Sequence, residues 1–293
     1  MEMLFQTFVN GIMSAMILIL IASGLCLIFG ILHIVNFAHG EFYMLGGFGT
    51  WLLFSQYPMA FLGSGPIQYF AAIALSMLVV GLLGVLVEMF IFRPFHGDLE
   101  ATIIVAFGVM LIFQAGALGI FGVTDKAISS PFLGKLSLGG VSISTERLVA
   151  IICGAIFITA MHIFISKSKL GKAMRAVAQD QEAAQVQGIN ISFIFSLAMG
   201  IGCALAAAGG ALVGPIYYVN PYMGVVPIMK AFVVIILGGI GSLPGAVIGG
   251  FIIAMTESLV TTYVGAHAAT IAVFLFLIAV LLIKPSGIFG HAE

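Results

Sequence analysis

The sequence predicts an all-α polytopic integral membrane protein with about eight to ten transmembrane helices. Three observations carry that expectation. Hydrophobic residues make up 62% of the 293 and charged residues only 7%, against about 25% charged in a soluble domain. Mean hydropathy is +1.25. Apolar stretches of about 20 residues, the length that crosses a bilayer, recur along the whole chain between short polar connectors. So few charges cannot coat a water-exposed surface, so lipid is the solvent for most of this chain.

The candidate spans are roughly 8–30, 40–57, 68–92, 101–122, 147–166, 191–214, 227–244, 245–262 and 267–283. The stretch 227–262 admits two readings, two short helices or one broken, re-entrant element. Residues 1–293 are expected to form a single transmembrane domain. The N-terminal MEMLFQTFVNGIM carries no Lys or Arg before its apolar run. A cleavable signal peptide needs a positive start, so this segment is expected to remain as the first membrane helix. Ten Lys and Arg against eleven Asp and Glu exclude a polybasic nucleic-acid binder. Cys26, Cys153 and Cys203 lie in apolar stretches without metal-ligand spacing and read as small packing residues.

Orientation follows from the basic residues of the short connectors. Arg93, Lys167, Lys169, Lys172, Arg175 and Lys284 fall on one side, and Lys126, Lys135 and Arg147 on the other. Six against three places 93–100, 167–190 and the C-terminus in the cytoplasm, with the N-terminus outside. Lys230 lies inside a span, where a charge needs a carboxylate, backbone carbonyls or water. Glu257, Glu88 and Glu41 are its candidate partners.

Glycine is abundant, at 37 residues, and small residues let membrane helices approach closely. The runs Gly46-Gly47-Phe48-Gly49 and Gly238-Gly239-Ile240-Gly241 both follow Leu and precede a hydroxyl residue, 192 positions apart. Transporters are often built from repeats with broken helices at corresponding positions, so an internal repeat is one expectation.

Three constellations could carry function. In Asn36-Phe37-Ala38-His39-Gly40-Glu41 an amide, an imidazole and a carboxylate crowd into a seam between two spans, where unpaired polar groups are costly. It reads either as a non-helical elbow near a pathway or as a helix start capped by Asn36, with Glu41 in the first turn. No nucleophile or metal triad accompanies His39 and Glu41, which makes a hydrolytic site a poor reading. In 167–190 a helix from about Gly171 to Gln187 is expected, stopped by Gly188. It reads either as a solvated basic loop or as a helix whose apolar face needs a partner or the headgroup layer. GGIGSLPGAVIGG (238–250) is too rich in Gly and Pro for a regular helix and reads as a tight helix–turn–helix. Gly134-Lys135-Leu136 and Gly171-Lys172-Ala173 lack the remainder of a phosphate-binding loop, so ATP binding by this chain is not expected.

VNFAHGEFYMLGG (35–47), GKAMRAVAQDQEAAQVQGI (171–189), NPYMG (220–224) and MKAFVVIILGGIGSLPGAVIGG (229–250) resemble, in order and spacing, the branched-chain amino acid permease family. The likeness is nearest to the H-type subunit of bacterial high-affinity ABC importers for leucine, isoleucine and valine. It runs from about residue 8 to residue 290. The resemblance implies an ABC importer permease fold in the bacterial inner membrane. It also implies a second, homologous permease subunit, two ATPase subunits and a substrate-binding protein outside the membrane. The 171–188 segment would then be the coupling helix, with Gly171, Arg175, Asp180, Glu182 and Gly188 matching the family pattern. Asn36, His39 and Glu41, with Gly238, Gly239 and Gly241, would flank the pathway. The binding protein would dock on connectors 58–67, 123–146 and 215–226. The expected cargo is a branched-chain amino acid, with urea, short amides, other amino acids or aromatic acids as the alternative. No catalytic residue, cofactor or metal is expected in this chain, ATP being bound by the partners. A membrane enzyme with its site at Asn36–Glu41 and a lone ion-coupled carrier are the competing classes.

Overall fold

Backbone amides inside a bilayer must be satisfied within their own segment, which leaves helices as the spanning form. The computed structural model describes residues 2–57, 65–132, 134–138, 141–284 and 287–289. Among them the chain runs α1 (Glu2–Leu32), α2 (His39–Trp51), α3 (Pro66–Val87) and α4 (Leu99–Phe121). A β-hairpin follows, Lys135–Leu138 paired antiparallel with Val141–Ser144. Then come α5 (Thr145–Lys167), two short helices α6 (Lys169–Gln179) and α7 (Gln181–Val186), and α8 (Ile191–Val213). The chain closes with α9 (Val225–Gly238), α10 (Leu243–Tyr263) and α11 (Ala266–Ile283). Seven of these helices, among the described residues, are long and apolar enough to cross a membrane. The protein is therefore a multi-pass membrane protein. Short π-helical segments, Leu52–Gln56 and Glu88–Phe92, extend α2 and α3.

The expected side-sorting of basic residues is seen in the packing. The Arg93 end of α3, the ends of α1 and α5, helices α6 and α7, the start of α8 and the α9–α10 turn all meet at one end, called here the basic end. The hairpin, the start of α1, the end of α2 and the 215–223 connector meet at the far end, where Asn10 accepts from Arg147 at 2.5 Å and Lys126 lies over Trp51. At the polar basic end, side chains cap helix starts in the expected way. Asp98, Ser168, Asp180, Asn190 and Ser242 accept from the backbone N–H of Ala101, Gly171, Ala183, Phe193 and Gly245 at 2.8–3.1 Å.

One helix, α9, is too short to cross alone, with 14 residues against the roughly 20 needed. The other exception is α2, whose 13 residues continue into the five of Leu52–Gln56 but which does not start at an end of the layer. The imidazole of His39, the first residue of α2, lies 3.1 Å from the Ile21 carbonyl. Ile21 is 11 residues before the end of α1, about 16 Å along it at 1.5 Å per residue. Residues 33–38 therefore re-enter from the basic end as non-helical chain, and α2 starts inside the layer. Gly224, just before α9, abuts Gly40: a methyl on either would sit 2.0–2.6 Å from the other's carbonyl oxygen. The two half-helices thus begin back to back and run to opposite ends. The 40–57 span is accordingly corrected to a half-helix with a short extension, and 227–262 resolves into α9 and α10 joined by a tight turn at 239–242. The expectation that 238–250 forms no regular helix is corrected too: 243–250 is the start of α10, with Pro244 in its first turn, where a missing N–H costs nothing.

The contacts repeat with reversed direction. α1 packs on α8 and α10, while α8 packs on α1 and α3. The α2 contacts with α8, α3 and α4 are matched by those of α9 with α1, α10 and α11. Helices α1–α4 and α8–α11 form an inverted repeat, a common transporter plan. The glycine runs that suggested it are not its equivalent points. The reciprocal pairs are Gly24 with Gly202 and Gly40 with Gly224, 178 and 184 residues apart. Gly46 lies within α2 against Ala207, whereas Gly238 closes the α9–α10 turn against Gly245. Burial grades outward from this core. The apolar window of α1 is 83% buried, against 17% in α4, 22% in α5 and 11% in α11, which leaves those three for lipid or another subunit.

Candidate functional site: a closed layer between two cavities

Asn36, His39 and Glu41 are fully buried at the start of α2. Gly24 makes room for His39 and for α8, since a methyl there would stand 3.1 Å from His39 Nε2 and 2.5 Å from the Gly202 oxygen. Asn36 does not cap α2. The cap residue is Ala38, with no side-chain bond, while the Asn36 amide donates to Met199 Sδ at 3.7 Å. Glu41 does occupy the first turn, where the helix dipole favours a carboxylate. No hydrogen bond joins the three side chains to one another, and Asn36 Oδ1, His39 Nδ1 and Glu41 Oε2 have no bonding partner among the described residues. Buried polar atoms are normally paired, so these three mark the layer as unusual.

On the far-end side of this layer, α1, α2, α9, α10, the end of α8 and the 215–223 connector line a half-open cavity of about 460 Å³ that reaches down to Ile21. On the basic side, α1 from Cys26 to Ile31 borders a second cavity of about 300 Å³, with Gly241, Ser242, Met174 and Arg175. The structure therefore separates two groups that the sequence set together. Gly238 is the last residue of α9, and Gly239 and Gly241 lie in the turn just beyond it, at the basic end. Gly239 (φ 97°) and Gly241 (φ 79°) take backbone conformations that favour glycine, and residues 288–289 bond to the carbonyls of Leu237 and Gly238 at 2.8 and 3.0 Å. Of the three, Gly241 lines the basic-side cavity. Lys230 finds Glu257, at 2.5 Å, in the wall of the far-end cavity.

At the basic end the expected single helix over 171–187 is corrected to two. Asp180 is extended (φ −157°, ψ 110°) and caps α7. A side-chain oxygen that competes for backbone donors favours caps over helix interiors, and that breaks the run. Gly171 lets α6 fold back on α5, because a methyl there would meet the Phe164 and Ile165 oxygens at 2.4 Å. The Arg175 guanidinium donates to the Ile165 carbonyl, a cation at a helix C-terminus. Gly188 (φ 82°) ends α7, its N–H bonded to the Gln185 oxygen at 2.9 Å. Met174, Val177 and Ala184 are buried against the body, while Glu182 is exposed and Val186 is 85% exposed. Asp180→Ala should lower stability by about 1 kcal/mol and Asp180→Asn much less, as read by thermal unfolding of the purified chain.

One network was not anticipated. Buried Glu88 accepts from Arg93 Nε and Nη2 at 3.2 and 2.7 Å and from the Ser196 hydroxyl, tying the end of α3 to α8. Burial pushes the His96 imidazole below its ordinary value, with Arg93 adding to the effect and Glu88 opposing it. The ion pair of this network is therefore Glu88–Arg93. Glu followed by Arg-Pro five residues on was the available signal. The far-end connector 58–67 falls largely outside the described residues, at 58–64. Among the described residues, no cluster of His, Cys, Asp and Glu could hold a metal ion.

The chain is 34% identical to the high-affinity branched-chain amino acid transport system permease protein LivH of Escherichia coli (strain K12), over 98% of this chain and 96% of that protein. It is 34% identical to the corresponding permease protein BraD of Pseudomonas aeruginosa, with the same coverage. It is 26% identical to a probable branched-chain amino acid transport permease protein LivH of Methanocaldococcus jannaschii, over 96% and 91%. No solved structure matches it. The family described as "Branched-chain amino acid transport system / permease component" matches residues 7–284. With nearly its whole length matched, the chain belongs to that family.

Proposed function

We propose that this chain is the transmembrane permease subunit of a binding-protein-dependent ABC importer that carries leucine, isoleucine and valine into the bacterial cell. The full-length likeness to two permease proteins of high-affinity branched-chain amino acid transport carries this reading. The basic end faces the cytoplasm of the inner membrane by the excess of Lys and Arg. There α6 and α7 form the coupling element, docking on one of two ATPase subunits that bind ATP for the complex. A second, homologous permease covers part of the exposed α4, α5 and α11 surface. A binding protein delivers substrate at the far end. ATP-driven movement of α6–α7 closes one cavity and opens the other, and the layer at His39 separates them. No side chain of this subunit carries out chemistry on the cargo.

ATP-dependent uptake in proteoliposomes tests this. The complex is assembled with its second permease, ATPases and binding protein, and offered labelled leucine, urea, glutamate or benzoate. Leucine uptake requiring both ATP and binding protein is expected. Uptake of one of the others alone would replace the cargo, and uptake without ATP would remove the ABC mechanism.

A further inference from the structure

Lys230 and Glu257 are opposite charges in the membrane layer whose side chains remain 21% and 28% exposed. Charges at this depth are costly, and a pair kept only for structure gains nothing from facing open space. Both face the far-end cavity, beside Tyr43 and Tyr217. Ser14 and Tyr218 add two hydroxyls to its lining, and Met13, Ile17 and Leu18 of α1 give it an apolar stretch. Its volume, about 460 Å³, falls in the range of small-molecule sites, about 300–1,000 Å³.

We infer that this cavity is a binding site for the substrate as a zwitterion, with Lys230 taking the α-carboxylate and Glu257 the α-ammonium group. This rests on the branched-chain amino acid reading above. An α-amino acid carries both charges on one carbon, so it matches an ion pair as a unit. Without cargo, Lys230 and Glu257 neutralise each other at 2.5 Å. With cargo, each exchanges its partner for the opposite charge of the substrate, and no charge is left uncompensated. The aliphatic side chain lies along Met13, Ile17 and Leu18. The cavity floor is Ile21, whose carbonyl is held by His39, so the cargo waits against the closed layer. A neutral amide or urea offers neither charge, and an aromatic acid offers only one.

The test compares wild type, Lys230→Met, Glu257→Leu and the double variant in the reconstituted complex, with leucine as the probe. Each single variant should lose uptake by at least about tenfold, as expected when one partner of a desolvated charge pair is removed. Binding-protein-stimulated ATP hydrolysis should persist, which shows that the variants are folded and assembled. The double variant should stay as low as the singles, because the cargo still lacks its charges. Recovery in the double variant would overturn the inference, since two apolar residues replace a purely structural pair without loss. Wild-type rates in all three variants would overturn it too. In both of those results wild type still takes up leucine and the permease reading stands. Failure of the wild-type complex to take up leucine would instead overturn both.

Discussion

Gly46→Ala separates α2 from α8 and removes the assembled protein. The added methyl would sit 2.2–2.6 Å from the oxygen, Cα and carbonyl carbon of Ala207. All three are backbone atoms, so no side chain can turn away. Overpacking usually costs about 1–3 kcal/mol when neighbours can shift, and here the loss should reach about 3 kcal/mol or more. Gly210→Ala tests the same crossing from α8, because its methyl would meet the Tyr43 oxygen at 1.9 Å. Gly108, in α4, is the control, with nothing within 4 Å of an added methyl. There Ala should hold or raise stability, since glycine in a helix interior costs about 1 kcal/mol relative to Ala. The measurement is the thermal unfolding of detergent-purified variants and their yield in membranes. Equal midpoints for Gly46→Ala and Gly108→Ala would refute the close crossing.

On the coupling role proposed for α7, Glu182→Ala combined with Val186→Asp should abolish coupling while leaving the chain inserted. α7 is anchored by buried Ala184, by the Asp180 cap and by the Gly188 stop, and the double change touches none of them. What it alters is the outward face, where Val186 is 85% exposed. An aspartate placed in an apolar interface leaves an unpaired charge, a change worth several kcal/mol. Uptake should therefore fall by at least about tenfold, at about 1.4 kcal/mol per factor of ten, with ATPase subunits lost on purification or hydrolysing ATP without transport. Arg175 is a poorer target. Its guanidinium holds the end of α5, so its loss would loosen the α5–α6 joint and confound the result. An intact complex with normal uptake in the Glu182/Val186 double variant would place the ATPase contact elsewhere.

Composition and spacing determined the class of this protein. Few charges and recurrent 20-residue apolar runs leave no alternative to a helical membrane protein. The basic residues sorted themselves to two ends as the connector count required. Gly188 and the α9–α10 turn were legible because each depends on local conformation, a positive φ or a dense run of glycine. Four ordered motifs carried the family. What the sequence could not supply is whatever depends on residues far apart in the chain. The half-helix character of α2 is set by where His39 meets Ile21, and hydropathy does not register depth. The inverted repeat lies in which helices touch and in which direction they run, and its glycine pairs share no motif. Lys230 had three candidate carboxylates, and only the packing of α9 on α10 chose Glu257. Asn36 looked like a cap, yet the chain re-enters the layer there and carries its amide to Met199. Cavities exist only between elements, so the far-end cavity with its facing charges was decided by the tertiary structure alone.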